Sequence, residues 1–179
     1  MPHVILSRPD ATEYAPYYGK YIALIPEGDL IKIMNEQFDH TLATLGNISE
    51  TQSLARYEPG KWSIKEVIGH LVDTERIMSY RALRIARGDE TPIPGFEQDD
   101  YVRAANFEAR PFAEIVQEFQ VVRPATMALF RGIDEAALSR RGTASNLAVS
   151  VRALTHIVAG HERHHMNVLQ TKYLSLLKV

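Results

Sequence analysis

Apolar side chains recur at steps of three and four residues through four long segments of the chain, and no segment carries a sustained strand-like alternation. That periodicity predicts an all-α fold, a four-helix bundle, because each segment has one apolar stripe to bury and four such stripes can share a core. The first predicted helix runs from about Asp29 to Leu45, with Leu30, Ile31, Met34, Phe38, Leu42 and Leu45 on one side, Asp29 as N-cap and Gly46-Asn47 as its end. The second opens on a capping box, Ser63 with Glu66, in which each side chain satisfies an amide of the first turn, and Gly88 closes it. Its apolar side is Ile64, Val67, Ile68, Leu71, Met78, Ala82 and Ile85. Pro111 opens the third, whose apolar face from Phe112 to Phe130 continues through Pro124, so that proline reads as a kink rather than an end. The fourth follows Ser150 and carries Leu154, Ile157, Val158, Val168, Leu169 and Leu176.

Between the second and third helices lies a long connector, Gly88 to Arg110, with Pro92-Ile93-Pro94-Gly95 and the acidic residues Glu97, Asp99 and Asp100; its prolines argue against a regular helix there. Residues 1–28 are a different kind of sequence, a tyrosine-rich arm with Tyr14, Tyr17, Tyr18 and Tyr21 crowded around Pro16. The expected organisation is this arm followed by one bundle domain over residues 29–179. The arm is expected to cover one end of the core, with a lid or a dimer contact as the alternatives.

Composition narrows the chemistry. At 179 residues and 45% apolar, the chain can bury one substantial core. It has no cysteine, so any transition metal must be held by histidine and carboxylate. A formal charge of -2 gives no basic footprint for nucleic acid. Neither a signal-type apolar core at Met1 to Asp10 nor an apolar run of the ~20 residues that span a bilayer is present, so the expectation is a cytoplasmic protein with no membrane partner.

The histidines carry the functional question. Near the C-terminus the chain reads His161-Glu162-Arg163-His164-His165. At ~100° per residue, His161 and His165 fall about 40° apart, within the arc of Leu154, Val158 and Val168, and so face the interior. His156 falls on the opposite side, a surface position, and His164 at the edge of the buried arc. On the second helix His70 lies at the margin of the apolar stripe beside Thr74 and Ile77. One histidine on an apolar face is more often a hydrogen-bonded core residue than a ligand. Two imidazoles a turn apart are costly to bury unless each nitrogen finds a partner, and a shared cation satisfies both at once. With His70 as the third ring, the set leaves a coordination position open, the layout of a reactive site. Glu66 and Asp73, a turn either side of His70, are candidates to hold a ligating ring, though both also fit surface charges. Glu162, about 60° to one side of the pair, is a candidate to move a proton, but fits a solvated helix glutamate better.

His161-Glu162-xx-His165 also satisfies the pattern of zinc peptidases. Only residues 166–179 follow, leaving little room for a downstream ligand, and Val168 and Thr171 stand where the extended pattern needs glycine and histidine. With no strand to align a peptide, a peptidase is disfavoured.

The stretch Trp62-Ser63-Ile64-Lys65-Glu66-Val67-Ile68-Gly69-His70-Leu71, taken with His156-Ile157-Val158-Ala159-Gly160-His161-Glu162-Arg163-His164-His165, resembles the DinB superfamily of damage-inducible-like proteins. The resemblance runs from about Asp29 to the end. It implies a four-helix bundle holding a divalent metal, zinc or nickel, by one histidine of the second helix and two of the fourth, here His70, His161 and His165. It implies a metal-dependent enzyme acting on a small-molecule substrate, foremost an S-transferase with a low-molecular-weight thiol such as bacillithiol or mycothiol as co-substrate. A metal-dependent hydrolase and a non-enzymatic metal-binding bundle are the alternatives, and pairing into a homodimer is a further implication.

Overall fold

In the computed structural model, which describes residues 7–177, the helix starts marked by Asp29, Ser63 and Ser150 are each met by a side chain that takes up amides the helix cannot pair itself, whereas Pro111 opens its helix with no side-chain cap. A short helix α1, Gly19–Ile22, precedes α2, Leu30–Leu45, where Asp29 accepts from the amides of Ile31 and Lys32. At the head of α3, Ile64–Ala86, the Ser63 and Glu66 box is complete in both directions. A helix not expected from the sequence follows, α4, Gln98–Ala105, and then α5, Phe112–Arg131, which carries Pro124 inside it. After the short α6, Glu135–Leu138, come β1, Arg141–Ala144, and β2, Leu147–Ser150. Ser150 caps α7, Val151–Val168, whose last turns widen to π-helix over Leu169–Leu174 before the three-residue α8, Ser175–Leu177.

The four long helices α2, α3, α5 and α7 form the bundle. α3 packs on α5 and α7, and α2 packs against the same two from the other side. The fold is thus a helical bundle with one small sheet. Among the described residues no helix is long and apolar enough to cross a membrane.

Two departures from the periodicity have local causes. The connector's prolines precede α4 instead of interrupting it; once past Phe96, Gln98–Ala105 is free to coil and buries Val102, and it ends where Asn106 adopts a left-handed backbone (φ 47°). The sheet is an antiparallel hairpin joined by Ser145-Asn146, both at positive φ, the two-residue turn that matches strand twist. Four residues per strand are too few to register as alternation.

The apolar core has two large parts and a smaller one of Val72, Phe119 and Val122. One gathers Met78, Ala82 and Ile85 of α3 with Leu154, Ile157 and Val158 of α7. The other gathers Ile64, Ile68 and Leu71 with Phe112, Ile115, Met166 and Leu169. Between them, at mid-height on α3, α5 and α7, lies a layer of buried polar side chains that includes His70, Glu75, Arg123, His161 and Glu162. Two of the histidines singled out in the sequence, His70 and His161, sit in that layer.

Candidate metal centre

Two glycines let neighbouring chain close on the helices just before the histidines. A Cβ on Gly69 would lie 2.4 Å from the Phe107 ring, and one on Gly160 would lie 2.2 Å from the Tyr21 carbonyl oxygen. Side chains at either position would hold these elements away. With glycine there, α1 seats directly on α7, and the Tyr21 ring meets His161 edge-on at 5.4 Å and His164 at 5.3 Å.

The structure brings His70, His161 and His165 together. The Nε2 atoms of His70 and His161 are 3.0 Å apart, those of His165 and His161 are 3.1 Å apart, and the three offered nitrogens all lie within 4.8 Å of one another. His70 and His161 are buried and His165 is half-buried. Desolvation holds all three rings neutral: His70 is lowered to about 4, His165 to about 3, and His161 well below the ordinary value, with the other rings adding to the effect on His161 and His165. Three neutral imidazoles aimed at one point form a donor set without a proton to share among all of them. That chemistry fits a divalent cation, and imidazole is a ligand for several of the transition metals. His70 is further held by the Thr74 hydroxyl, 3.3 Å from its Nδ1, and by Trp62, whose ring lies 4.8 Å away.

Neither carboxylate considered for holding His70 does so. Glu66 accepts from the Ser63 amide and from Arg56 at 2.6 Å, and Asp73 lies 4.0 Å from Arg76. Thr74 supplies that contact, from the next turn of the same helix face.

Glu162, read as solvated, is 1% exposed. It accepts from Arg123 at 2.5 Å and from the Thr41 hydroxyl at 2.7 Å, while Arg123 also holds Glu75 at 2.7 Å. The Arg123 guanidinium is fully buried, and despite the desolvation its two carboxylate partners raise its pKa. Glu162 is therefore engaged away from the triad. His156, expected at the surface, is 4% exposed, 3.1 Å from the Arg152 carbonyl oxygen through Nδ1, with burial lowering it to about 4. α7 is covered on more than one side, by α1 and the hairpin as well as by the bundle, and a single-stripe reading of the helix misses that. A charged residue in phase with an apolar stripe, such as Arg123 four residues after Phe119, is the signal that marks the buried cluster in the sequence.

Two hollows flank the triad. One, of about 260 Å³, is bordered by His70, His161, Tyr17, Tyr21, Arg81 and Ser145. The other, of about 370 Å³, is bordered by His165, His164, Trp62, Tyr57, Val168 and Tyr173. Gln98 and Asp99 of α4 border both. The arm thus walls the site; its residues 1–6 lie outside the described part.

Comparison with known proteins identifies the family and the fold. The family model of the DinB superfamily matches residues 34–169, leaving the tyrosine-rich arm outside the match. A protein of Oceanobacillus iheyensis named "Putative metal-dependent hydrolase OB0413" is 23% identical over 125 residues, 69% of this chain and 71% of its own. Among solved structures, YfiT from Bacillus subtilis, described as "a probable metal-dependent hydrolase with an unusual four-helix bundle topology", superposes with a TM-score of 0.70 at 15% identity, covering 97% of this chain and 98% of its own. The mycothiol-dependent maleylpyruvate isomerase superposes with a TM-score of 0.66 at 13% identity, over 81% of this chain and 61% of its own.

Proposed function

The chain belongs to the DinB superfamily, and from that premise we propose that it is a metal-dependent enzyme, a transferase that joins a low-molecular-weight thiol to a small electrophile. The observation that carries this reading is the position of the triad between two separate hollows, which suits a reaction of two organic partners better than attack by water on one. His70, His161 and His165 are the ligands, and zinc or nickel is the cation. Such a cation, when bound by three neutral imidazoles, keeps its full charge and favours the deprotonated form of a small thiol beside it.

The chain's own residues do the rest. Thr74 and Trp62 fix the His70 ring, so its nitrogen need not reorganise on binding. Tyr21, buried and with its phenol pKa raised by desolvation, stays neutral against His161 and keeps that side of the site dry. In the reaction the thiol's S–H proton passes to solvent, a carbon–sulfur bond forms, and the electrophile's leaving group departs with the electron pair. Glu162 takes no part, because Arg123 and Thr41 occupy its oxygens.

The test is a panel of bacillithiol, mycothiol and glutathione against one chloronitroaromatic electrophile, with and without chelator. Chelator-sensitive adduct formation with at least one thiol, lost in H161A, is expected. No chelator-sensitive adduct with any thiol would overturn the transferase reading, and chelator-sensitive ester cleavage in its place would establish the hydrolase named for the relatives.

A further inference from the structure

We propose that Arg81 anchors a carboxylate of the molecule that reacts at the triad, at the far end of the tyrosine-lined cleft. This assignment rests on that cleft being the substrate site. Arg81 follows His70 by eleven residues on α3, and eleven steps of ~100° return to within about 20° of the same face. Both residues border the same hollow of about 260 Å³.

Arg81 is 1% exposed, yet it has no carboxylate partner among the described residues. Its Nη2 donates to the Pro94 carbonyl at 2.9 Å and to the Ser145 hydroxyl at 3.0 Å. Among the described residues Nη1 donates only to the Met78 sulfur at 3.6 Å, and Nε has no acceptor. Phe96 lies 5.8 Å from the guanidinium. Burial lowers the Arg81 pKa, and the Tyr18 phenol, a neutral hydrogen-bonding neighbour, partly offsets this.

The contrast with Arg123 is direct: that buried guanidinium is matched by two glutamates, whereas Arg81 is buried against neutral groups and its Nε has no acceptor among the described residues. A buried charge without a counter-ion is unfavourable, and an arriving oxyanion supplies what is missing. The planar fork of a guanidinium is the geometry that selects carboxylate. Glu97 and Asp99 also border the hollow, but both are exposed and neither pairs with Arg81. Pro94 and Ser145, from the connector and the hairpin turn, fix the guanidinium in place while leaving its Nε edge unpaired.

A carboxylate can arrive on the thiol or on the electrophile, so the test has two arms, both with metal-loaded protein. Succinate is titrated against dimethyl succinate, and 3-mercaptopropionate against its methyl ester, following the arginine Nε–H resonances by NMR; the Arg81 signal is the one lost in R81K. Binding of at least one acid is expected to be tenfold or more tighter than its ester and to shift the Arg81 Nε–H signal. R81M abolishes that preference and R81K retains part of it. The arm that responds identifies which reactant carries the anion. Equal binding of acid and ester in both arms for the wild-type protein overturns the assignment even if R81M does not fold, as does a folded R81M that keeps the preference. A clear acid preference without thiol-adduct formation would sink the transferase reading alone.

Discussion

His161 and Glu162 are neighbours on one helix, yet they belong to polar clusters of opposite kinds. The cluster around Glu162 largely closes on itself: Arg123 meets two carboxylates, and Thr41 and Gln37 add hydrogen bonds to Glu162, with Gln37 Oε1 left without a donor. The cluster around His161 does not, since it consists of three bases and no acid, each ring held neutral by burial. A polar cluster whose valences are met internally supports the fold, whereas one left short of a positive charge is a place for something to bind.

The largest effect should come from breaking the closed cluster. R123M leaves Glu75 and Glu162 buried without a counter-charge, and chemical denaturation is expected to show a loss of about 3–5 kcal/mol. If R123M unfolds at the same denaturant concentration as wild type, the cluster is not a support and the contrast fails. Next, G160A drives a methyl into the Tyr21 carbonyl and should cost about 1–3 kcal/mol while displacing the aromatic wall of the open cluster. Loss of the Tyr21 contact would be read as a shift in the His161 ring resonances.

A titration sharpens the contrast further. His70 and His156 have folded pKa values of about 4, below the unfolded value near 6.5, so the unfolded chain takes up protons first as pH falls. In metal-free protein their contribution is fully present above about pH 6.5 and is lost as pH falls toward about 4. H156Q should flatten that slope by roughly one proton, about 1.4 kcal/mol per pH unit, without changing metal content. An unchanged slope in H156Q would mean the ring is not buried neutral. The smallest expected effect is on metal occupancy in E162Q: it should not change, because Glu162 faces Arg123 and not the triad, and a drop in occupancy would merge the two clusters into one.

The bundle and the His161–His165 pair were legible in the sequence because each is written locally, while His70, 91 residues away from His161, entered the set through the family resemblance. Caps at Asp29, Ser63 and Ser150 mark helix starts, and the spacing of His161 and His165 needs only the helical repeat to set both on one face. What could not be read depends on partners distant in sequence. Glu162 looks solvated until α2 and α5 bring Thr41 and Arg123 to it, and His156 looks exposed until Ser7, Arg8 and the loop at residues 26–29 close over the second side of α7. α4 and the hairpin were missed because eight- and four-residue elements carry too little periodicity, though the residues of both reach the site: Gln98, Asp99 and Ser145 border its hollows.

The central claim is that His70, His161 and His165 share one cation, and anomalous diffraction from crystals of untagged protein grown with zinc or nickel tests it most directly. The account expects a single strong peak at about 2.0–2.1 Å from the Nε2 atoms of all three rings, absent in H161A. Rings left hydrogen-bonded to one another with no peak between them, or a peak bound by other residues, would contradict it.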